Sequence, residues 1–365
     1  ARGLLLDGLQ ARATLELKPN STFLDIWGPP EAHGAGVLLE RVQDGELRGS
    51  DLQHNQNGLL SYDCRRLRVV GNEAGYSSGW GFHLNGTSES LFQGNHADQC
   101  CRFNPRPGTT HFGHVGADAA GFLIVNGSCR NTFLGNSARL GGDGFFLAGL
   151  TPDLEPRGCD ENLFEDNDAS LSPNIAFEAT FSRGNVFRGN VASRGNFGFW
   201  LGFSTDTTVE GNRAHQNRMA GVAAENATGL RVLGNDFQAG NHGLLLWSGP
   251  ATSFRDLYPD LDTLHDVTVE GNTFLRNWKA VRVAANQDHG LRNLDPMPEG
   301  GRRPYGVTAT RNLIQDNRLG LDLVGLSASR FEGNTLRGNV EANARLDDCE
   351  DVIVRDNLGA AGAYL

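Results

Sequence analysis

The chain has 365 residues, with 43 acidic side chains against 32 Lys and Arg, for a formal net charge of −11. That balance argues against a general binder of nucleic acid or of anionic membranes. No apolar run approaches the roughly 18 residues of a membrane span.

Residues 1–35 carry no repeat and are expected to form an N-terminal cap or an irregular first turn. From about residue 36 the dipeptide Gly-Asn returns about every 22 residues. Aligned on its Asn, the series is Asn72, Asn95, Asn136, Asn167, Asn190, Asn212, Asn235, Asn272, Asn312, Asn334 and Asn357. Asp166, Arg311 and Asp356 replace the Gly in three units, and Gly49-Ser50 looks like a degenerate first member. A fixed period of this length means stacked units, none able to bury its apolar face alone. Length would suggest two or three domains. The unbroken repeat instead predicts a single domain over 1–365, with coils over 36–357.

Three residues before each Asn stands an apolar residue, from Val69, Phe92 and Phe133 through to Phe331 and Val354, with Ala309 the smallest. This is a short strand with an inward face, ending in a Gly-Asn turn. About fourteen residues before the Asn, most units open a second strand with Gly and alternating apolar residues. Examples are Gly81-Phe-His-Leu, Gly198-Phe-Trp-Leu and Gly320-Leu-Asp-Leu. A further Asn often follows five residues after the first, as at Asn55, Asn217, Asn277, Asn317 and Asn339. Short strands of period 2, joined by tight turns and stacked by repetition, predict an all-β right-handed parallel β-helix of about twelve coils. Stacked Asn side chains are expected to hydrogen-bond along the ladder.

These Gly-Phe-x-Leu starts and Asn-x-Phe-x-Gly-Asn turns, such as Asn131-Thr-Phe-Leu-Gly-Asn136, resemble the β-helix repeats of the pectin-lyase-like superfamily. The resemblance covers nearly the whole chain and implies the fold. It also implies a secreted or periplasmic location. It does not choose a chemistry, because that superfamily spans lyases, hydrolases, epimerases and non-catalytic proteins.

The six cysteines are Cys64, Cys100, Cys101, Cys129, Cys159 and Cys349. Four fall in a slot that other coils fill with Ser or Ala, which reads as a buried column of small residues. A Cys129–Cys159 disulfide between neighbouring coils is the alternative. No spacing supports a zinc site.

Four coils carry extra residues, at about 102–119, 149–158, 248–264 and 285–304. Solenoids concentrate insertions on the binding face. The expectation is a walled trough over the first-strand sheet, suited to a chain-like ligand. In each first strand, the residues two and four after the Gly position point outward. The first such column runs Leu38, Leu60, His83, Leu123, Phe146, Glu178, Trp200, Ala223, Leu245, Arg282, Asp322, Arg345. The second contains Glu225 and Trp247.

Two carboxylates and two indoles are thus expected on one exposed surface. Indoles stack on sugar faces, and carboxylates do acid–base work or hold a cation. Glu178 and Glu225 become candidate catalytic residues, with a separation suited to an inverting glycosidase pair. Asp143, in Gly142-Asp143-Gly144-Phe145, resembles the Asp-Gly step of polygalacturonases, although an Asp at a turn accounts for it equally. Trp200, Trp247, Arg282, His83 and Asp118 become candidate substrate-binding residues. The partner expected is a poly- or oligosaccharide, with no nucleic acid and no membrane.

Glycoside hydrolysis without a cofactor or metal is the leading expectation. The alternatives are a uronate lyase using Arg282 with a divalent cation such as calcium, supported by Arg292, Arg302 and Arg303, and a non-catalytic β-helix that binds glycan or protein. His111 and His114 share the first insertion but are too loosely spaced for a metal site.

Overall fold

The computed structural model describes residues 1–13, 25–104, 114–115, 119–249, 256–285 and 302–359, excepting the side chains of 103, 104, 114 and 115. The chain divides into two compact units, Ala1–Asn185 with Gly189–Val191, and Val186–Arg188 with Ala192–Leu365.

In the first unit, six strands form one parallel sheet: Val37–Glu40, Leu59–Tyr62, Trp80–Asn85, Ala120–Val125, Asp143–Ala148 and Ile175–Thr180. A second parallel sheet takes the strand before each Gly-Asn turn, from Leu5–Asp7 to Leu163–Glu165. The second unit repeats the plan. Its first sheet runs from Phe197–Trp200 through Ala220–Glu225, His242–Ser248, Lys279–Ala285 and Leu319–Val324 to Ala342–Asp347. A third parallel sheet, from Arg213–His215 to Thr335–Arg337, lines the stretch after the turn. Each strand of these three sheets pairs with its equivalent one coil away, which makes the chain a parallel β-helix; Phe103–Asn104 and His114–Val115 pair separately and antiparallel.

The Gly-Asn dipeptide has two separate causes. The residue before each reference Asn adopts a left-handed backbone, with φ from 54° at Asp356 to 66° at Gly271. Glycine reaches that region without steric cost, and Asp reaches it more easily than most residues. The Asn that follows is buried and joins a hydrogen-bonded ladder. In the first unit, Nδ2 of Asn72 donates to Oδ1 of Asn95 (2.9 Å), Asn95 to Asn136 (3.0 Å), Asn136 to Asn167 (2.9 Å) and Asn167 to Asn190 (3.0 Å). In the second unit, the same bond runs from Asn212 through Asn235, Asn272, Asn312 and Asn334 to Asn357. Ser50 takes the degenerate first place, and its N–H donates to Asn72 Oδ1. The later Asn column forms its own ladder, with Asn277 donating to Asn317 and Asn317 to Asn339.

The interior of the first unit is built from phenylalanine. Phe82, Phe122, Phe145 and Phe177 stack on the first sheet at 4.6–5.0 Å. Phe92, Phe133 and Phe164 stack on the second. The two stacks meet edge to face, as Phe145 does with Phe164 at 5.6 Å. The Gly near the start of most first strands lies against the turn of its own coil, where there is no room for a side chain. A Cβ at Gly81 or Gly121 would sit 2.5 Å from that of Ala97 or Ala138.

All six cysteines are unpaired. Cys64 and Cys159 occupy the slot that Ser182 fills one coil later. Ser182 Oγ donates to the carbonyl of Thr180 and accepts the Cys159 N–H, and Cys64 makes the same pair of contacts with Tyr62 and Val42.

Candidate functional site

Register follows the predicted columns coil by coil. In the first unit, Leu38, Leu60, His83, Leu123, Phe146 and Glu178 are successive Cα partners. In the second, so are Trp200, Ala223, Leu245, Arg282, Asp322 and Arg345. Outward-pointing and exposed prove to be different properties.

In the first unit the outward face is apolar and covered. Leu60, Tyr62, Trp80, Ala120, Leu123, Val125, Phe146 and Ala148 form one buried cluster, with Ile26, Trp27 and Ala35 packed against it. The open floor expected here is therefore absent. His83 is fully buried in this cluster, with its ring 4.6 Å from Trp80 and 5.4 Å from Tyr62. Burial pushes its pKa down to about 3, with the neighbouring His33 adding to the effect, so it stays neutral. Asp143 is buried as well, and its Oδ1 accepts the Ile175 N–H at 2.9 Å. Glu178 is half-buried at the last strand of this unit. Asp118 lies outside the described residues, as do His111 and Arg292.

The second unit carries the candidate site. Trp200 is half-buried and meets Trp247 edge to face, with ring centroids 5.5 Å apart. Phe197 supports Trp200 from the other side at 4.9 Å. Trp247 is fully buried where the sequence exposes it, and it packs with Ala220, Ala223 and Leu245. Among the described residues its indole N–H has no hydrogen-bond partner. Glu225, half-buried, is the Cα partner of Trp247 on the preceding strand. Its carboxylate lies against Gly249, where a Cβ would collide with it.

Two coils further on, the character changes from aromatic to charged. Asp322 has no exposed side-chain surface and is gripped by three cations. Lys279 Nζ lies 2.7 Å from Oδ2, which also pairs with Arg282. Arg345 donates from Nε (2.9 Å) and from its terminal nitrogen (2.7 Å) to Oδ1. Burial raises the Asp322 pKa, but Arg282, Lys279 and Arg345 outweigh it and hold the carboxyl below its usual range. Burial also lowers the Lys279 pKa, against the support of Asp322. His242, the Cα partner of Lys279, is pushed down to about 4 by burial, with Lys279 and Arg282 contributing. The arginines expected to join Arg282 are engaged elsewhere: Arg302 with Asp262 (2.7 Å) and Arg303 with Asp348 (3.0 Å).

Sequence reasoning placed Asp322 and Arg345 in the right column without singling them out, and it missed Lys279 and His242. These two occupy a third outward column that the parity rule overlooked. It comprises Phe197, Ala220, His242, Lys279, Leu319 and Ala342, the residue before each opening Gly or its equivalent. The signal lay in the sequence as a run of residues fixed relative to that Gly.

Comparison with known proteins gives a consistent fold. The family described as periplasmic copper-binding protein (NosD) matches residues 117–290, just under half of the chain. No curated protein matches the sequence. Among solved structures, the catalytic domain of a GH87 α-1,3-glucanase in complex with nigerose is similar at 10% identity with a TM-score of 0.53. The match covers 97% of this chain and 64% of that one. The A-module of an Azotobacter vinelandii mannuronan C-5 epimerase is 15% identical over 85% of this chain and 71% of its own, with a TM-score of 0.47. A polygalacturonase from Erwinia carotovora is 11% identical over 99% and 96%, with a TM-score of 0.43. At such identities the likeness is one of fold. With the coil-by-coil pairing in its three parallel sheets, this chain is a parallel β-helix, the fold it shares with the glucanase domain.

Proposed function

We propose that this protein acts on a poly- or oligosaccharide along the outer face of the first-strand sheet, by glycoside hydrolysis. The observation that carries this reading is the partly exposed Trp200, braced by Trp247 and Phe197, with Glu225 one column away. A rigid indole offers a flat apolar face to a sugar ring, and a carboxylate beside it reaches the ring oxygens. Glu225 beside Trp200 in the second unit, and Glu178 in the first, are each proposed as a carboxylate that protonates the leaving oxygen or activates water. Asp143, occupied with a backbone N–H, has a structural role in this scheme, and so does buried His83. The glucanase domain supports a glycan ligand only at the level of shared fold.

A lyase reading is less well supported, because Arg282 is engaged by Asp322. Among the described residues, no three His, Cys, Asp or Glu side chains converge to hold a metal ion. Non-catalytic glycan binding through the half-buried Trp200 is the second reading. A periplasmic or secreted location accords with the family name; among the described residues no helix is long and apolar enough to cross a membrane.

The test is a polysaccharide panel read for reducing ends and for ultraviolet absorbance of unsaturated sugars, with Glu178→Gln and Glu225→Gln alongside. Hydrolysis gives reducing ends alone, and each substitution lowers the rate by at least about a hundredfold. Full activity in both variants sinks the carboxylate roles. Tryptophan fluorescence shifts with neither product indicate binding without catalysis.

A further inference from the structure

Among the described residues, the densest collection of charge on the outer face of either first sheet is the group around Asp322. One carboxylate there meets three cations. If its task were only to tie neighbouring coils together, a single pairing would satisfy it. Three cations bring more positive charge to Asp322 than that one carboxylate neutralises, in a setting where charge is costly. Of the three, Lys279 and Arg345 make no other ion pair or hydrogen bond among the described residues, and both retain N–H donors that Asp322 does not use. Arg345 is 43% exposed at its side chain and Lys279 19%, so both are reachable from solvent. The acidic groups nearby do not cancel them. Asp347 is exposed two residues beyond Arg345, and Glu341 is committed to Arg318. The neighbouring His242 is neutral, with its Nδ1 bonded to the Met219 carbonyl.

We infer that Lys279 and Arg345, held apart by the buried Asp322 carboxylate, form an oxyanion-binding site on the outer face of the second unit, one that takes a carboxylate or a sulfate ester carried by the ligand. Asp322 acts as a positioning residue: it fixes both cations and uses only part of their donor capacity. An ammonium and a guanidinium on the two coils that flank the Asp322 coil, each 2.7 Å from that carboxylate, match the several acceptor oxygens of such an anion, with hydrogen bonds strengthened by charge on both sides. The same face carries Trp200 three coils before Lys279 and five before Arg345, so a chain ligand lying along the axis would place neutral rings on the aromatic end and its anionic substituent here. This last placement rests on the glycan reading. The oxyanion site itself does not, because a free anion probes it without any glycan.

The experiment titrates the protein with sodium sulfate, with glucuronate and with glucose, at constant ionic strength maintained by chloride. The readout is the NMR signal of the Arg345 Nε–H, assigned by its loss in Arg345→Gln. Saturable shifts with sulfate, glucuronate or both, and none with glucose, are expected. A response to sulfate alone assigns a sulfate ester, and one to glucuronate alone assigns a carboxylate. In Lys279→Gln, with thermal unfolding checked for intactness, the affinity for the responding anion should fall about tenfold, in line with the loss of one charged hydrogen bond. Should Lys279→Gln destabilise the protein, Lys279→Arg keeps the charge and should retain binding within about threefold. No saturable shift with either anion, an equal response to glucose, or unchanged affinity in a folded Lys279→Gln variant would each overturn the inference. If polysaccharides are untouched while sulfate binds, the glycan reading falls and the oxyanion site stands.

Discussion

Asn136 sits in the middle of the first unit's ladder with 2% of its surface exposed, and its removal can be worked through bond by bond. Its Oδ1 accepts both the backbone N–H and the Nδ2 of Asn95, each at 3.0 Å. Its Nδ2 donates to the Phe92 carbonyl and to Asn167 Oδ1, each at 2.9 Å. Asn136→Ala deletes all of these. Asn167 Oδ1 keeps the Asn136 backbone N–H, and Asn95 Nδ2 keeps the Val69 carbonyl. The Asn95 backbone N–H loses its side-chain acceptor inside the structure. An orphaned buried donor costs about 1–3 kcal/mol and each of the three other lost bonds about 1, so the expected loss is about 4–6 kcal/mol. Because solenoids unfold in sections, hydrogen exchange is the better assay, and the Asn95 amide should show the largest drop in protection. Asn136→Asp separates the two halves of the argument. It keeps the acceptor, but at neutral pH it turns a charged oxygen toward the Phe92 carbonyl and Asn167 Oδ1. It should therefore be less stable than the alanine variant at neutral pH and partly recover once acid restores an O–H donor. A loss under about 1 kcal/mol in the alanine variant, or an Asn95 amide that exchanges no faster, would refute the reasoning.

Other consequences are equally direct. Arg311 holds φ at 56° in a slot that glycine fills in most coils, so Arg311→Gly should stabilise the protein by about 0.5–1 kcal/mol, and a lower melting temperature would contradict this. Phe145 stacks between Phe122 and Phe177, so Phe145→Ala should cost about 3–5 kcal/mol and Phe145→Leu clearly less; equal losses would show that the stack is not the cause. His83 and His242 have folded pKa values near 3 and 4, below the usual value near 6.5, so the unfolded chain binds the extra protons. Their stabilising effect is complete above about pH 6.5 and is lost as pH falls toward 4, at up to about 1.4 kcal/mol per pH unit for each group. His242→Gln should flatten that acid limb, and an unchanged slope would be the contrary result. Cys100, buried and with its thiol pushed up to about 12 by that burial, should resist alkylation in the native state; rapid labelling would contradict its placement.

How much of this molecule can be read from its residues divides along a physical line. The Gly-Asn period determines the parallel β-helix, because a left-handed backbone followed by a buried amide recurs only where identical turns stack. Alternation within the Gly-Phe-x-Leu starts determines which side chains face the phenylalanine interior, and every column from Leu38 to Glu178 and from Trp200 to Arg345 keeps its register. Those are local properties, repeated by every coil. What covers the outer face is not local. Ile26, Trp27 and Ala35 come from outside the repeat and seal the Leu60–Phe146 surface, so an outward-pointing His83 ends up neutral and buried. Likewise, Lys279, Arg282 and Arg345 meet on Asp322 only because the fold brings residues 279 and 345 onto the two coils that flank it. Strand period sets the direction of a side chain, but its solvation and its ionic partners depend on what long-range folding packs against it.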